Sequence, residues 1–340
     1  MGQAAHLRNY ASIDGCEVVA IAEPRPNLAA EVAAKFAVKN TYPDADSMMA
    51  NEQIDALVAI QPFDRHGSIV KPLYRFGKPI LTEKPLASSL EVATEMLDAL
   101  KLGGSFHMVG YHKRSDPATE AAKAEIDRLK TTGELGRMRY IRITMPEGDW
   151  IASGFNELIH SDEAIPVTDA DRRPSDMARE TFSEYVSFVN YYIHQVNLLR
   201  HLFGELYRVT YAEASGVLMA VETVSGIAGT LEMTPYRTLT DWQESALVGF
   251  DHGYVKLNLP APLALNRPGS LEIMRDRPGQ VSQIIHPQLP WVHAMRRQAE
   301  NFIASVQGVR PPPCEAAEAL EDLRMAKQYV ELRNRAKASG

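Results

Sequence analysis

An α/β fold is predicted, a doubly wound parallel sheet followed by a second, α+β domain. Three observations predict it. The first 110 or so residues alternate short β-rich apolar runs with helical stretches. Beyond them the strands follow one another through short loops, the habit of antiparallel sheets. At 340 residues the chain also exceeds the ~150 typical of one domain.

Taken in order, the N-terminal strands are Glu17–Ala22, Ile54–Gln61, Pro79–Thr82 and Phe106–Gly110, and the helices between them Asn27–Phe36, Gly67–Phe76 and Leu90–Leu102. Gly77, Gly103 and Gly104 mark helix ends. A helix over Pro117–Lys130, a turn at Gly133–Gly136 and a strand at Met138–Met145 open the second part, before a polar, loop-rich stretch over Glu147–Arg179. A long helix covers Ser183–Phe203. At least five strands are expected from Tyr207 to His286, among them Ala220–Tyr236, Ser245–Gly249, Tyr254–Leu259 and Val281–His286. Helices at Trp291–Val306 and Cys314–Ala336 flank Pro311–Pro313. The expected domains are 1–112, 113–310, and a C-terminal helix in 311–340 that packs back on the first domain.

Composition excludes several classes. Apolar residues at 45% and charged residues at 23% suit a globular core. The net charge of −7 offers no basic field for nucleic acid or an anionic membrane. Cys16 and Cys314 form neither a disulfide framework nor a metal pattern, so no metal is expected, and a reducing, cytoplasmic setting is. No apolar run reaches the ~18 residues of a membrane span, and no signal peptide is visible.

The N-terminus departs from the usual nucleotide pattern. A helix over Gln3–Ser12 begins at once, with no strand or complete glycine loop before it. Glu23 closes the first visible strand twenty-one residues after Gly2, near the ~20 that separate a glycine turn from a ribose-binding acid. Gly2 is therefore read as the last glycine of a loop whose beginning, with the first strand, is expected upstream.

Two features carry chemistry. Lys84, in Thr82-Glu83-Lys84-Pro85, leaves the carboxyl end of a parallel strand, where open α/β sheets hold ligands, and Pro85 keeps it extended. On the long helix, Asn190, His194, Asn197 and His201 fall, at about 100° per residue, within a stripe roughly 60° wide. The rest of that helix is apolar nearly all round, so the stripe is either a satisfied buried network or a site. Oxidising a secondary alcohol needs a base for its proton, and histidine, with an ordinary pKa of ~6.5, suits that role. Lys84 can stabilise developing alkoxide charge, and Asn190 can orient imidazole or substrate.

These residues resemble the glucose–fructose oxidoreductase/inositol dehydrogenase (Gfo/Idh/MocA) family nearly along the whole chain. The likeness runs through Met1-Gly2-Gln3 with His6, Val18–Ala20 to Glu23, Gln61-Pro62 with His66, and Gly77-Lys78 to Glu83-Lys84-Pro85-Leu86-Ala87. It continues through Val109–Arg114 and from His194 to Leu198–Arg200 and Gly204-Glu205. The resemblance implies a Rossmann domain, then a substrate domain with an open sheet, homo-oligomers, and NAD- or NADP-dependent redox chemistry on ring alcohols of sugars and cyclitols. It implies Lys84 as the active-site lysine, His194 as the catalytic histidine with Asn190 beside it, and Gly2, Glu23, Gln61, Pro62, His66 and Glu83 as cofactor residues. His112 and Lys113 fall beside nicotinamide and substrate. Asn190 and Asn197 stand where the family carries Asp, and Lys113 where it carries Arg; without the carboxylate His194 is expected to be less basic. Glu23 favours NAD by repelling a 2′-phosphate, whereas Arg25 would pair with one, so NADP stays open. Two other readings stand beside the dehydrogenase: a redox-neutral glycosidase on tightly held NAD, and a non-catalytic sugar or nucleotide sensor. Asp149, Trp150, Arg237 and Trp242 are further residues that could line a sugar pocket.

Overall fold

The computed structural model describes residues 1–339 and divides them into two compact units. Unit one holds 1–110, 153–174 and 298–320, and unit two holds 111–152, 175–297 and the chain from 321 on.

In unit one a π-helical turn, Gly2–Leu7, runs into α1 (Arg8–Tyr10). Then come β1 (Ala20–Ala22), α2 (Pro26–Phe36), β2 (Asn40–Tyr42), α3 (Ala45–Asn51), β3 (Leu57–Ala59), α4 (His66–Ile69), β4 (Ile80–Glu83), α5 (Leu90–Gly103) and β5 (His107–Gly110). Every strand pair is parallel, as the alternation requires, but the strands form two sheets, β1–β2 and β3–β4–β5. The expected strand Glu17–Ala22 shrinks to three residues because only Ala20, Ile21 and Ala22 face partners, Asn40 to Tyr42. The expected helix Gly67–Phe76 breaks into α4 and a 3₁₀ turn, Lys71–Phe76. Pro72 has no N–H to continue an α-helical ladder.

A polar network is sealed into this unit. His107, fully buried on β5, lies 2.8 Å through Nδ1 from Tyr74 Oη and 2.8 Å through Nε2 from Thr82 Oγ1. A neutral imidazole donates with one nitrogen and accepts with the other, so both hydroxyls are satisfied. Burial, and then the nearby His66, push the His107 pKa down to about 3. Between that value and the ~6.5 of an unfolded histidine, the unfolded chain binds a proton that the folded chain refuses. Acidification through this window therefore costs up to ~1.4 kcal/mol of stability per pH unit from this group. His107→Gln keeps polar atoms for both hydroxyls and cannot titrate. Urea unfolding at a series of pH values is expected to lose less stability in the variant than in the wild type over that range; parallel curves would refute the assignment.

Unit two opens with a 3₁₀ turn, His112–Ser115, and α6 (Pro117–Thr132), whose N-terminus Asp116 caps by accepting from Ala118 N at 2.8 Å. β6 (Met138–Glu147) and α7 (Arg179–Phe203) follow. Next are β7 (Tyr207–Ala212), β8 (Leu218–Thr223), β9 (Ala228–Arg237), β10 (Glu244–Phe250), β11 (Gly253–Leu259), β12 (Ser270–Arg275) and β13 (Gln283–Ile285). They make one eight-stranded open sheet, ordered β13-β12-β11-β10-β6-β9-β8-β7, antiparallel except where β6 meets β9. The single strand expected over Ala220–Tyr236 is a hairpin instead, because Gly226 adopts φ 84 and turns the chain between β8 and β9.

The last two helices are α8 (Ala294–Val306) and α9 (Ala316–Ser339). From Gln298 on, α8 belongs to unit one, where Phe302 packs edge-on against Tyr10 and Phe106 at 6.5 and 6.1 Å between ring centroids. From Glu321 on, α9 belongs to unit two: Tyr329 stacks on Phe188 at 4.3 Å, and Asp322 pairs with Arg200. The stretch 153–174, expected with the second domain, belongs to unit one.

Candidate active site

In unit one the candidate cofactor residues gather where parallel strands end. Glu23 follows β1 and grips Arg25 in a two-point fork, its Oε1 2.6 Å from Nε and its Oε2 2.9 Å from Nη2. The pair considered as alternatives for a ribose and a phosphate thus bind each other. Gln61 and Pro62 follow β3, Pro62 immediately preceding a 3₁₀ turn at Phe63–Arg65. Glu83 and Lys84 close β4; the Lys84–Pro85 peptide is cis, Lys84 is half-buried, and Glu83 Oε1 lies 2.7 Å from His6 Nε2. A Cβ on Gly2 would meet nothing within 4 Å.

His66, expected beneath a nicotinamide ribose, lies at the start of α4. It is wholly buried, its Nδ1 lies 3.0 Å from Leu86 O, and burial lowers its pKa. That contact joins the start of α4 to the Pro85–Leu86 turn.

In unit two, α7 sets Asn190 and His194 one turn apart, Asn190 exposed and His194 half-buried. His194 meets the His112 ring edge-on at 4.5 Å and the Tyr111 ring at 5.8 Å. Lys113 pairs with the buried Glu244 and lies 5.4 Å from the Trp242 ring centre, a cation–π distance. Glu244 also accepts from Gln195 Nε2 at 2.8 Å and Trp242 Nε1 at 3.2 Å. Lys113, read as a substrate contact, is thereby a member of a buried charge cluster. Glu244 and Gln195 escaped the sequence reading. Glu244 carried a usable signal, since it shares the inward phase of β10 with Ala246, Val248 and Phe250.

The polar stripe on α7 divides. Asn197 is a bridge, its Oδ1 accepting from Arg114 Nε at 2.7 Å and its Nδ2 donating to Asp322 at 2.6 Å. His201 is pushed well below histidine's usual range by burial, and further by Arg114, Lys123 and Arg200. These two serve structure, leaving Asn190 and His194 as site candidates. A cleft of unit two is lined by His112, Lys113, Asp116, Pro260 and Arg267. Burial pushes the Asp116 carboxyl up to about 6, against the opposing N–H groups of Ala118 and Gly269. Of the other residues considered for a pocket, Asp149 caps its own turn through Ile151 N and Ala152 N at 2.9 and 3.1 Å, and Arg237 pairs with Glu147 at 2.8 Å on the surface. Among the described residues no cluster of His, Cys, Asp and Glu could hold a metal, and no helix is long and apolar enough to cross a membrane.

Comparison with known proteins bears on these groups. Residues 1–111 match the model of an oxidoreductase family with an NAD-binding Rossmann fold. Scyllo-inositol 2-dehydrogenase (NAD(+)) of Bacillus subtilis is 26% identical over 242 residues, 67% of this chain and 62% of its own. Levoglucosan dehydrogenase of Pseudarthrobacter phenanthrenivorans is 36% identical over 132 residues, 39% of this chain and 33% of its own. The matched segments thus span less than two thirds of these curated relatives. A solved oxidoreductase from Agrobacterium radiobacter, in complex with NAD+, L-tartaric acid and magnesium, shares the fold with a TM-score of 0.69 at 16% identity, over all of this chain and 94% of that one. Residues 1–111 are thus similar to the NAD-binding Rossmann domain of the Gfo/Idh/MocA oxidoreductase family.

Proposed function

We propose that this protein is an NAD-dependent oxidoreductase that moves hydride between nicotinamide and a secondary alcohol or ketone of a cyclitol, sugar or sugar derivative. The observation that carries the reading is the order of groups along the strand ends of unit one. An acid, Glu23, follows β1, an amide, Gln61, follows β3, and a cation, Lys84, follows β4. The residues present suit the dinucleotide: Gly2 for its phosphates, Glu23 for adenosine ribose hydroxyls, and Gln61, Pro62, Glu83 and Lys84 toward nicotinamide. When bound, NAD supplies the hydride acceptor, and everything else falls to side chains.

His194 takes the hydroxyl proton during oxidation and returns it during reduction. The edges of His112 and Tyr111 hold its ring in one orientation. Lys84 hydrogen-bonds the reacting oxygen and stabilises its developing charge. Asn190, an amide rather than a carboxylate, orients without withdrawing a proton, which suits an imidazole that must stay neutral to act as base. The curated relatives' names, scyllo-inositol and levoglucosan dehydrogenases, point to polyhydroxylated rings as the substrate class.

The test is a panel of inositols, anhydrosugars and aldoses incubated with the protein and NAD, and of their keto forms with NADH, followed by NADH absorbance. NADH is expected to appear with at least one ring alcohol. No change with either dinucleotide in either direction would overturn the proposal, and glycoside cleavage without net NADH would replace it with redox-neutral chemistry.

A further inference from the structure

The stretch 153–174 contains neither helix nor strand, yet side chains fasten it to unit one. The Gln3 amide clamps both backbone groups of Ile159, donating to its O at 2.9 Å and accepting from its N at 3.0 Å. Asp171 accepts from Gly67 N at 3.2 Å; a Cβ on Gly67 would stand 2.6 Å from Asp171 Oδ1, so glycine permits the approach. Between these anchors, Glu163 reaches the first turn of α2. Its Oε2 accepts from Leu28 N at 3.0 Å, and its Oε1 from Asn27 Nδ2 at 3.0 Å and Asn27 N at 3.3 Å.

Those two N–H groups have a particular value. Pro26, the first residue of α2, has none, so Asn27 and Leu28 present the first donors of the helix's positive end. They lie immediately after Arg25. In a dinucleotide fold the turn after this strand meets the adenosine ribose, and a nearby arginine accommodates a 2′-phosphate when the cofactor carries one. Here both sources of positive charge are already occupied by carboxylates, Arg25 by Glu23 and the α2 terminus by Glu163. A 2′-phosphate would have to displace one and approach both.

We propose that Glu163, brought to the start of α2 by the 153–174 stretch, is a specificity-determining residue that acts with Glu23 to exclude the 2′-phosphate of NADP. The inference rests on the oxidoreductase reading above and names a determinant far in sequence from the nucleotide motif. Its chemistry is like-charge rejection: the interaction disfavours the wrong ligand while adding little to the right one.

The test is equilibrium binding of NADH and NADPH to the full chain, read by nicotinamide fluorescence without substrate. Glu163→Gln removes the charge and keeps an acceptor for the α2 N–H groups; Glu163→Ala removes both. Each is expected to tighten NADPH binding by about tenfold or more while NADH affinity changes far less. NADH binding with the NADH-to-NADPH ratio unchanged in both variants would overturn this inference alone, as would a wild-type preference for NADPH. A chain that binds neither dinucleotide would overturn the oxidoreductase reading and this inference with it.

Discussion

Asp322→Ala is expected to destabilise unit two by about 3–5 kcal/mol, seen as a lower urea midpoint at unchanged m-value. The carboxylate is wholly buried and accepts from Arg200 Nε at 2.9 Å, Arg200 Nη2 at 3.1 Å and Asn197 Nδ2 at 2.6 Å. Asn197 passes the connection on to Arg114, so one acid on α9 organises two residues of α7 and one from the turn before α6. Removing it strips a buried guanidinium of a two-point partner, and the cost of such a loss exceeds the net worth of the ion pair itself. Two further variants separate those quantities. Asp322→Asn retains an oxygen acceptor and should cost less than the alanine change. The double variant Arg200→Met, Asp322→Leu replaces the pair with apolar volume and should recover most of the loss. A cost below about 1 kcal/mol for Asp322→Ala would mean that the Phe188–Tyr329 stack and neighbouring apolar contacts, not the charge network, hold α9 to α7.

Asp322 also shows where the sequence was hard to read. It lies on the buried face of α9 with Ala319, Leu323, Ala326 and Tyr329, at helical spacings that mark the face but not the reason for an acid on it. The reason is Arg200, 122 residues away. Glu244 on β10 is the strand equivalent, an acid in the inward phase whose partners Lys113 and Gln195 lie 131 and 49 residues away. Groups whose placement depends on nearby sequence were legible: Lys84 at the end of a parallel strand before a proline, and Asn190 and His194 on one line of a long helix. Asn197 shared that line for a different reason, because helical phase places a side chain without choosing its partner. β2 was missed because Asn40-Thr41-Tyr42 is short and mostly exposed, with no alternation to reveal it. The role of 153–174 was invisible for the same physical reason as the buried acids. Glu163 and Asp171 cap helices 135 and 104 residues earlier, and nothing in a polar loop records that.

Lys84→Met and His194→Ala should each lower kcat/KM by about 10²–10⁴ once a ring-alcohol substrate is in hand, with NADH affinity largely preserved in His194→Ala. The two losses should differ in kind. Methionine keeps the length of Lys84 but not its charge, so the interaction lost is with oxygen charge that grows during hydride transfer; kcat should fall more than KM rises. Alanine at 194 removes the proton acceptor, so the rate should become dependent on hydroxide or recover with added imidazole. Asn190→Asp provides the counter-test. A carboxylate one turn from the ring favours the protonated imidazole, so the pH needed for half-maximal oxidation should move upward, while the reductive rate near neutrality should rise because the proton to be donated is already in place. If His194 only braced Tyr111 and His112, its alanine variant would lose stability together with rate, imidazole would not restore turnover, and the aspartate at 190 would leave the pH profile where it was.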